Sequence, residues 1–160
     1  MTSTPVSDAA PVVIAPLWRR IAAILYDSFL VFAIWIVVGF FVLWAFGIEE
    51  ARTIEGEAIE LDPLYQYTLL TAMFLSAYLF FGFFWTHSGQ TLGMQAWRIK
   101  VRNADGSAIS WRQALLRICS APFALLVFGL GYLCMLIDPR QRTLPDIVSG
   151  SQVVREFVIK

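Results

Sequence analysis

The sequence predicts an all-α membrane protein: a two-helix transmembrane hairpin, a third apolar segment that either spans or re-enters, and a small cytoplasmic β-hairpin. Three observations carry this prediction. Of 160 residues, 58% are hydrophobic and 15% charged, against roughly 25% charged in soluble domains, and the mean hydropathy is +0.66. Two uninterrupted apolar runs are long enough for a bilayer core, which takes about 20 helical residues. Finally, 12 Lys+Arg and 12 Asp+Glu cancel in total but are sorted by segment, as the loops of a membrane protein are. The length suits one domain, and the absence of a basic excess speaks against a nucleic-acid partner.

Residues 1–18 lack a basic start and carry Asp8 and three prolines, unlike a cleaved signal peptide; they are expected to be a flexible cytoplasmic tail. The first helix is expected at about 21–47, an apolar run with Asp27 as its one charge, and the second at about 65–85, uncharged and ending in Trp85. Between them, residues 48–64 hold Glu49, Glu50, Glu55, Glu57, Glu60 and Asp62 against Arg52 alone, an acidic outer loop. Residues 86–112 hold Arg98, Lys100, Arg102 and Arg112 against Asp105, and Arg19 and Arg20 precede the first helix. The positive-inside rule therefore puts the N-terminus and the 86–112 region in the cytoplasm.

Within that basic region, Trp97, Ile99 and Val101 alternate with Arg98, Lys100 and Arg102, and Asn103 to Gly106 supply turn residues. The pattern predicts a hairpin whose return strand is Ser107 to Trp111. The stretch from Ser151, rich in β-branched and aromatic residues, is a candidate third strand if it lies on the same side. The third apolar run, 114–137, contains Arg117, Pro122, Gly129 and Gly131. A plain span would put the basic tail outside, whereas a broken, re-entrant segment would return it and would need burial by other helices. Both readings stay open at this point, and residues 155–160 read as a C-terminal tail.

Asp27 is the most informative single residue, because a carboxylate at the centre of a spanning helix costs about 2.5–3.5 kcal/mol and must find a partner or a proton. Arg20 lies seven residues earlier, about 20° from eclipsed on the same helix face. The pair reads either as a proton or cation site with an electrostatic tuner, or as structural anchoring. Arg117 is the candidate counter-ion for Asp27 or for lipid headgroups, and Asp146 opens a short stretch that reads as a capped turn. Cys119 and Cys134 read as free buried thiols, and His87 as an interfacial residue at the end of the second helix. Gly89 and Gly93 around Gln90, Thr91 and Leu92 are too sparse for a nucleotide loop, and no Walker motif occurs. No catalytic triad assembles around the one histidine. Neither an enzyme, a metal site nor a cofactor is expected.

The stretch from Arg20 to Asp27 (RIAAILYD), the run SGQTLGMQAWRIKVRNADG, the segment beginning ALLR at Ala114 and the terminal RTLPDIVSGSQVV together resemble the RDD family of small bacterial integral membrane proteins, from about Arg19 to Val154. By position, Arg20 matches the family arginine, and Asp27 and Asp146 the two aspartates. The chain departs from the family pattern at Met94, where a lysine is common, at Pro145, where a histidine is common, and at Ser151, which replaces a threonine. The resemblance implies a multi-pass protein of the bacterial inner membrane and transport of an unidentified ligand. Two functional expectations result: transport of a small cation, proton or other ligand using Asp27 with Arg20 and Asp146, or a non-catalytic accessory subunit docking on a larger complex or anionic lipid. Because two or three helices make a thin wall, transport implies a homo-oligomer or a larger membrane complex.

Overall fold

The computed structural model describes residues 13–47, 52–55, 58–126 and 130–156. Helix α1 (Leu17–Phe46) and helix α2 (Pro63–His87) are both long and apolar enough to cross a membrane. Between them lie strands β1 (Arg52–Glu55) and β2 (Ala58–Leu61), paired antiparallel with Arg52 opposite Leu61. The acidic segment was expected to be a loop; its β-branched Thr53, Ile54 and Ile59 favour the extended state. Asp62 caps α2, its Oδ1 accepting from the N–H groups of Leu64 (2.8 Å) and Tyr65 (3.1 Å), with Pro63 at the first helical position.

The two long helices pack antiparallel. Phe46 meets Tyr65 ring to ring at 5.6 Å, and the Trp35 indole N–H donates to the Met73 carbonyl at 3.0 Å. Their outer faces carry large apolar side chains: Phe29 and Trp44 are each 75% exposed. The residues they bury include Ala23, Ala77 and Gly82, and small residues are what let helix backbones approach closely in lipid.

After α2 the chain forms a short helix, α3 (Leu92–Ala96), and strand β3 (Ile99–Asn103). Ile99 and Val101 are buried as the alternation predicts, while Arg98, Lys100 and Arg102 lie to the outside or half-buried. The partner strand differs from expectation. β3 pairs not with Ser107–Trp111 but with β4 (Ser151–Arg155), antiparallel, with Val101 opposite Val153. Residues 107–110 are engaged otherwise. Asp105 Oδ1 accepts from the Ser107 N–H (2.9 Å) and hydroxyl (2.7 Å). Ser110 and Gln113 then form a reciprocal capping pair, the Ser110 N–H donating to Gln113 Oε1 at 2.9 Å and the Gln113 N–H to Ser110 Oγ at 3.3 Å.

That pair starts helix α4 (Trp111–Leu126), followed by helix α5 (Leu130–Ile137). Neither has the about 20 residues a span requires. Gly131 lies so close to Ala124 that a Cβ would sit 2.5 Å from the Ala124 Cα, so α5 folds back on α4. The segment is broken and returns, as the second of the two readings expects. Helix α6 (Leu144–Ser149) and β4 complete the chain.

The tail boundary expected at residue 18 moves. Ile14 bridges Val154, the Ala15 N–H donates to the Val153 carbonyl at 3.0 Å, and Ala15 is fully buried. Residues 13–16 thus edge the small sheet and α1 begins four residues early; residues 1–12 lie outside the described ones. Similarly, Arg155 belongs to β4, and the Glu156 N–H donates to the Arg98 carbonyl at 2.9 Å, while residues 157–160 lie outside. The two cysteines are free, but both are exposed on the apolar outer surface rather than buried.

Candidate functional site

Arg20 comes from the first turn of α1, Arg117 from α4 and Asp146 from α6, and the fold brings them into one buried cluster. They are 4%, 7% and 1% exposed. Asp146 is positioned by the start of its own helix: its Oδ2 accepts from the Thr143 N–H at 3.1 Å, capping α6 as the sequence suggests. The same carboxylate receives Arg20 Nη1 on Oδ2 at 2.5 Å and Arg117 Nη1 on Oδ1 at 2.8 Å. Arg20 spends its other donors on the Ala15 carbonyl (Nε, 3.0 Å) and the Val153 carbonyl (Nη2, 3.2 Å). It thereby ties the N-terminal edge, α6 and β4 to the foot of the first long helix.

Arg117 Nη1 also donates to Ser151 Oγ at 2.5 Å and to Ser149 Oγ at 3.4 Å. Burial pushes the Asp146 carboxyl upward, but Arg117, Arg20 and the Thr143 N–H outweigh it and hold the group below the ordinary carboxylate range. Two guanidinium groups against one carboxylate leave the cluster with one uncompensated positive charge.

Asp27 faces inward as its spacing from Arg20 requires, and is 4% exposed. Its partners differ from those expected. Neither Arg20 nor Arg117 reaches it; both pair with Asp146, because α6 returns to the level of Arg20. Instead the Thr91 hydroxyl donates to Asp27 Oδ2, and the Gly93 N–H donates to Oδ1 at 2.9 Å. Thr91 caps α3, and Gly93 is required where it stands, since a Cβ there would lie 2.5 Å from the Ala23 carbonyl oxygen and 2.8 Å from Asp27 Oδ1. Thr91, Gly93, Ser149 and Ser151 are therefore partners that sequence reasoning did not assign. The visible sign was a helix-capping Thr-x-Gly after a turn glycine, read as too sparse for a nucleotide loop and as part of the family pattern, with no partner assigned to it.

His87 takes no part. Its ring stacks on Phe83 at 4.5 Å and is exposed at the end of α2, the place read as interfacial.

A cavity of about 400 Å³ lies between these groups, with Arg20, Asp27 and Arg117 in a wall that is otherwise mostly apolar. Trp85 and Phe81 of α2 and Ala121 and Pro122 of α4 also line it. The volume falls in the range of small-molecule pockets, about 300–1,000 Å³. Among the described residues no group of three or more His, Cys, Asp or Glu side chains is placed to hold a metal ion.

Residues 14–150 match the family model described as the RDD family. No curated protein and no solved structure matches the chain.

Proposed function

Because the chain belongs to the RDD family and carries two helices able to cross a membrane, it is read as a membrane protein, and we propose that it binds and moves a small ligand or proton through the cavity beside Asp27. The carrying observation is Asp27, a buried carboxylate in the wall of an apolar cavity, held by two neutral donors rather than by a cation. A carboxylate in that setting exchanges a proton or meets a cation without first breaking an ion pair. Arg20 and Asp146 act at a distance in this proposal: with Arg117 they hold one end of the cavity together, and the three side chains carry one net positive charge.

The protein is placed in the bacterial inner membrane as a multi-pass chain with its N-terminus in the cytoplasm, in line with the basic segments around α1 and β3. A thin two-helix wall is completed by a second copy or a larger membrane complex.

The test is flux. Purified protein in liposomes is challenged with sodium, potassium and proton gradients while internal pH is followed, and wild type is compared with Asp27→Asn at equal, verified insertion. Loss of flux in the variant is expected; unchanged flux in a correctly inserted variant overturns the reading. A second reading, an accessory or assembly subunit, draws on the exposed aromatic face of α1, including Phe29, Phe40 and Trp44. Under it neither protein gives flux, and Asp27→Asn alters the recovery of a stoichiometric complex from native membranes instead.

A further inference from the structure

Arg98 stands in the left-handed backbone region, at φ 52°, with its side chain exposed. Glycine takes that conformation freely, whereas a residue with a Cβ is strained in it. Local hydrogen bonds hold it there: the Arg98 N–H donates to the Gln95 carbonyl at 3.1 Å, and the Arg98 carbonyl accepts from the Glu156 N–H at 2.9 Å. Arg19 Nη1 donates at 2.9 Å to the Trp97 carbonyl, so two arginines converge on the peptide group that joins Trp97 to Arg98. The Arg19 guanidinium also lies 5.0 Å from the Trp18 ring centroid, and that ring meets Trp97 edge-on at 5.5 Å. Among the described residues neither arginine pairs with a carboxylate; the ion pairs are those of Arg20 and Arg117 with Asp146 and of Arg142 with Asp138. Glu156, whose backbone bonds Arg98, turns its Oε2 to the Gln90 amide at 2.8 Å.

We propose that this cluster binds the headgroup of an anionic phospholipid of the surrounding bilayer, the phosphate accepting from Arg19 and Arg98 and an acyl chain running along α1. Trp18 sets the level. It is exposed in the first turn of α1, where the apolar outer face begins, and that is the place indole rings take at a membrane interface. Beyond it Ile21, Leu25, Phe29 and Phe32 follow at spacings of three and four on one helix face, all exposed. They form a continuous track for a chain that starts at the headgroup. The forked donors of a guanidinium match phosphate oxygens. With no protein carboxylate to neutralise the two arginines, a headgroup of net negative charge is attracted more strongly than a zwitterionic one. A soluble phosphate would meet the arginines and leave the apolar track without its chain, which makes a lipid the better fit. The inference rests on the membrane placement proposed above and involves neither Asp27 nor the cavity.

The full chain in detergent micelles is titrated with dioleoyl phosphatidylglycerol and with dioleoyl phosphatidylcholine, and the bound lipids are counted by native mass spectrometry. The first phosphatidylglycerol is expected to bind about fivefold or more tightly than phosphatidylcholine, and glycerol phosphate, the head without the chains, is expected not to displace it. Arg19→Gln and Arg98→Gly each weaken that binding by about fivefold. Arg112→Gln, which removes an exposed arginine at the start of α4, leaves it unchanged. Arg98→Gly also relieves the left-handed backbone, so the melting temperature without added lipid stays the same or rises, whereas a structural role for the side chain predicts a fall. Equal affinity for the two lipids, displacement by glycerol phosphate, an equal loss in Arg112→Gln, unchanged binding in Arg19→Gln or Arg98→Gly, or a lower melting temperature in Arg98→Gly overturns the assignment. The readings proposed above fail separately. A chain that alkaline carbonate strips from membranes without detergent contradicts the membrane placement itself. Flux that depends on Asp27 without a lipid preference leaves the transport reading standing, and a lipid preference without such flux leaves only the lipid site.

Discussion

Asp146 is one carboxylate that ties four parts of the chain to each other: it caps α6, and through Arg20 and Arg117 it anchors α1, α4 and β4. Removing one partner of a buried ion pair leaves the others uncompensated, so Asp146→Asn is expected to cost about 3–5 kcal/mol in unfolding free energy, read from thermal or denaturant unfolding in detergent. The pH dependence has a definite sign. Asp146 titrates below its ordinary value in the folded protein, so its stabilisation is fully present above about pH 4 and is lost as pH falls through the depressed folded value. Wild type should therefore lose stability on acidification below that point, and Asp146→Asn should show a smaller loss. At this scale the sequence was legible in part. Arg20, Asp27 and Asp146 stand out as charges in or beside apolar runs, and the helical repeat puts Arg20 and Asp27 on one face. Which carboxylate Arg20 and Arg117 would choose was not legible, because the choice depends on where α6 returns.

The elements of the α2 to α6 region are held by close approaches between backbones. Gly93 lets α3 touch α1, and Gly131 lets α5 lie on α4. Gly93→Ala should overpack the first contact at a cost of about 1–3 kcal/mol. It should also displace the donors of Asp27, so a lowered melting temperature and altered flux in the same variant are expected; unchanged values for both would contradict the geometry. Helix α4 is patterned inside out relative to a water-soluble helix. Ala114, Arg117, Ser120 and Ala124 face inward, while Leu115, Leu116, Cys119 and Phe123 face outward, as small and polar residues do between helices in lipid. Assigning the cysteines to the interior applied the soluble rule to this face. The inward and outward alternation of β3 was legible from period two. Its partner was legible only as a candidate third strand from Ser151; the expected return strand 107–111 is not one, since Ser110-x-x-Gln113 commits that segment to starting α4.

Across the whole molecule, the Arg20 and Asp146 pair, the β3 and β4 pairing and the Ile14 bridge to Val154 gather residues 13–16 and 144–155 at one end of the α1 and α2 hairpin. In a background with Cys119 and Cys134 replaced by serine, single cysteines at Asp105 and Glu156 should react with an impermeant maleimide from the same side of sealed vesicles, and one at Glu55 from the opposite side. Labelling of Asp105 and Glu156 from opposite sides would mean that 114–137 spans. Class, the two long helices and the identity of the charged residues follow from composition, run length and local period, because each depends on near neighbours in the chain. The partners of β3, Arg117 and Asp27, the return of α5 and the cavity do not. The side-chain partners arise from contacts across 29 to 126 residues of separation, where many pairings satisfy the local pattern and only simultaneous packing selects one.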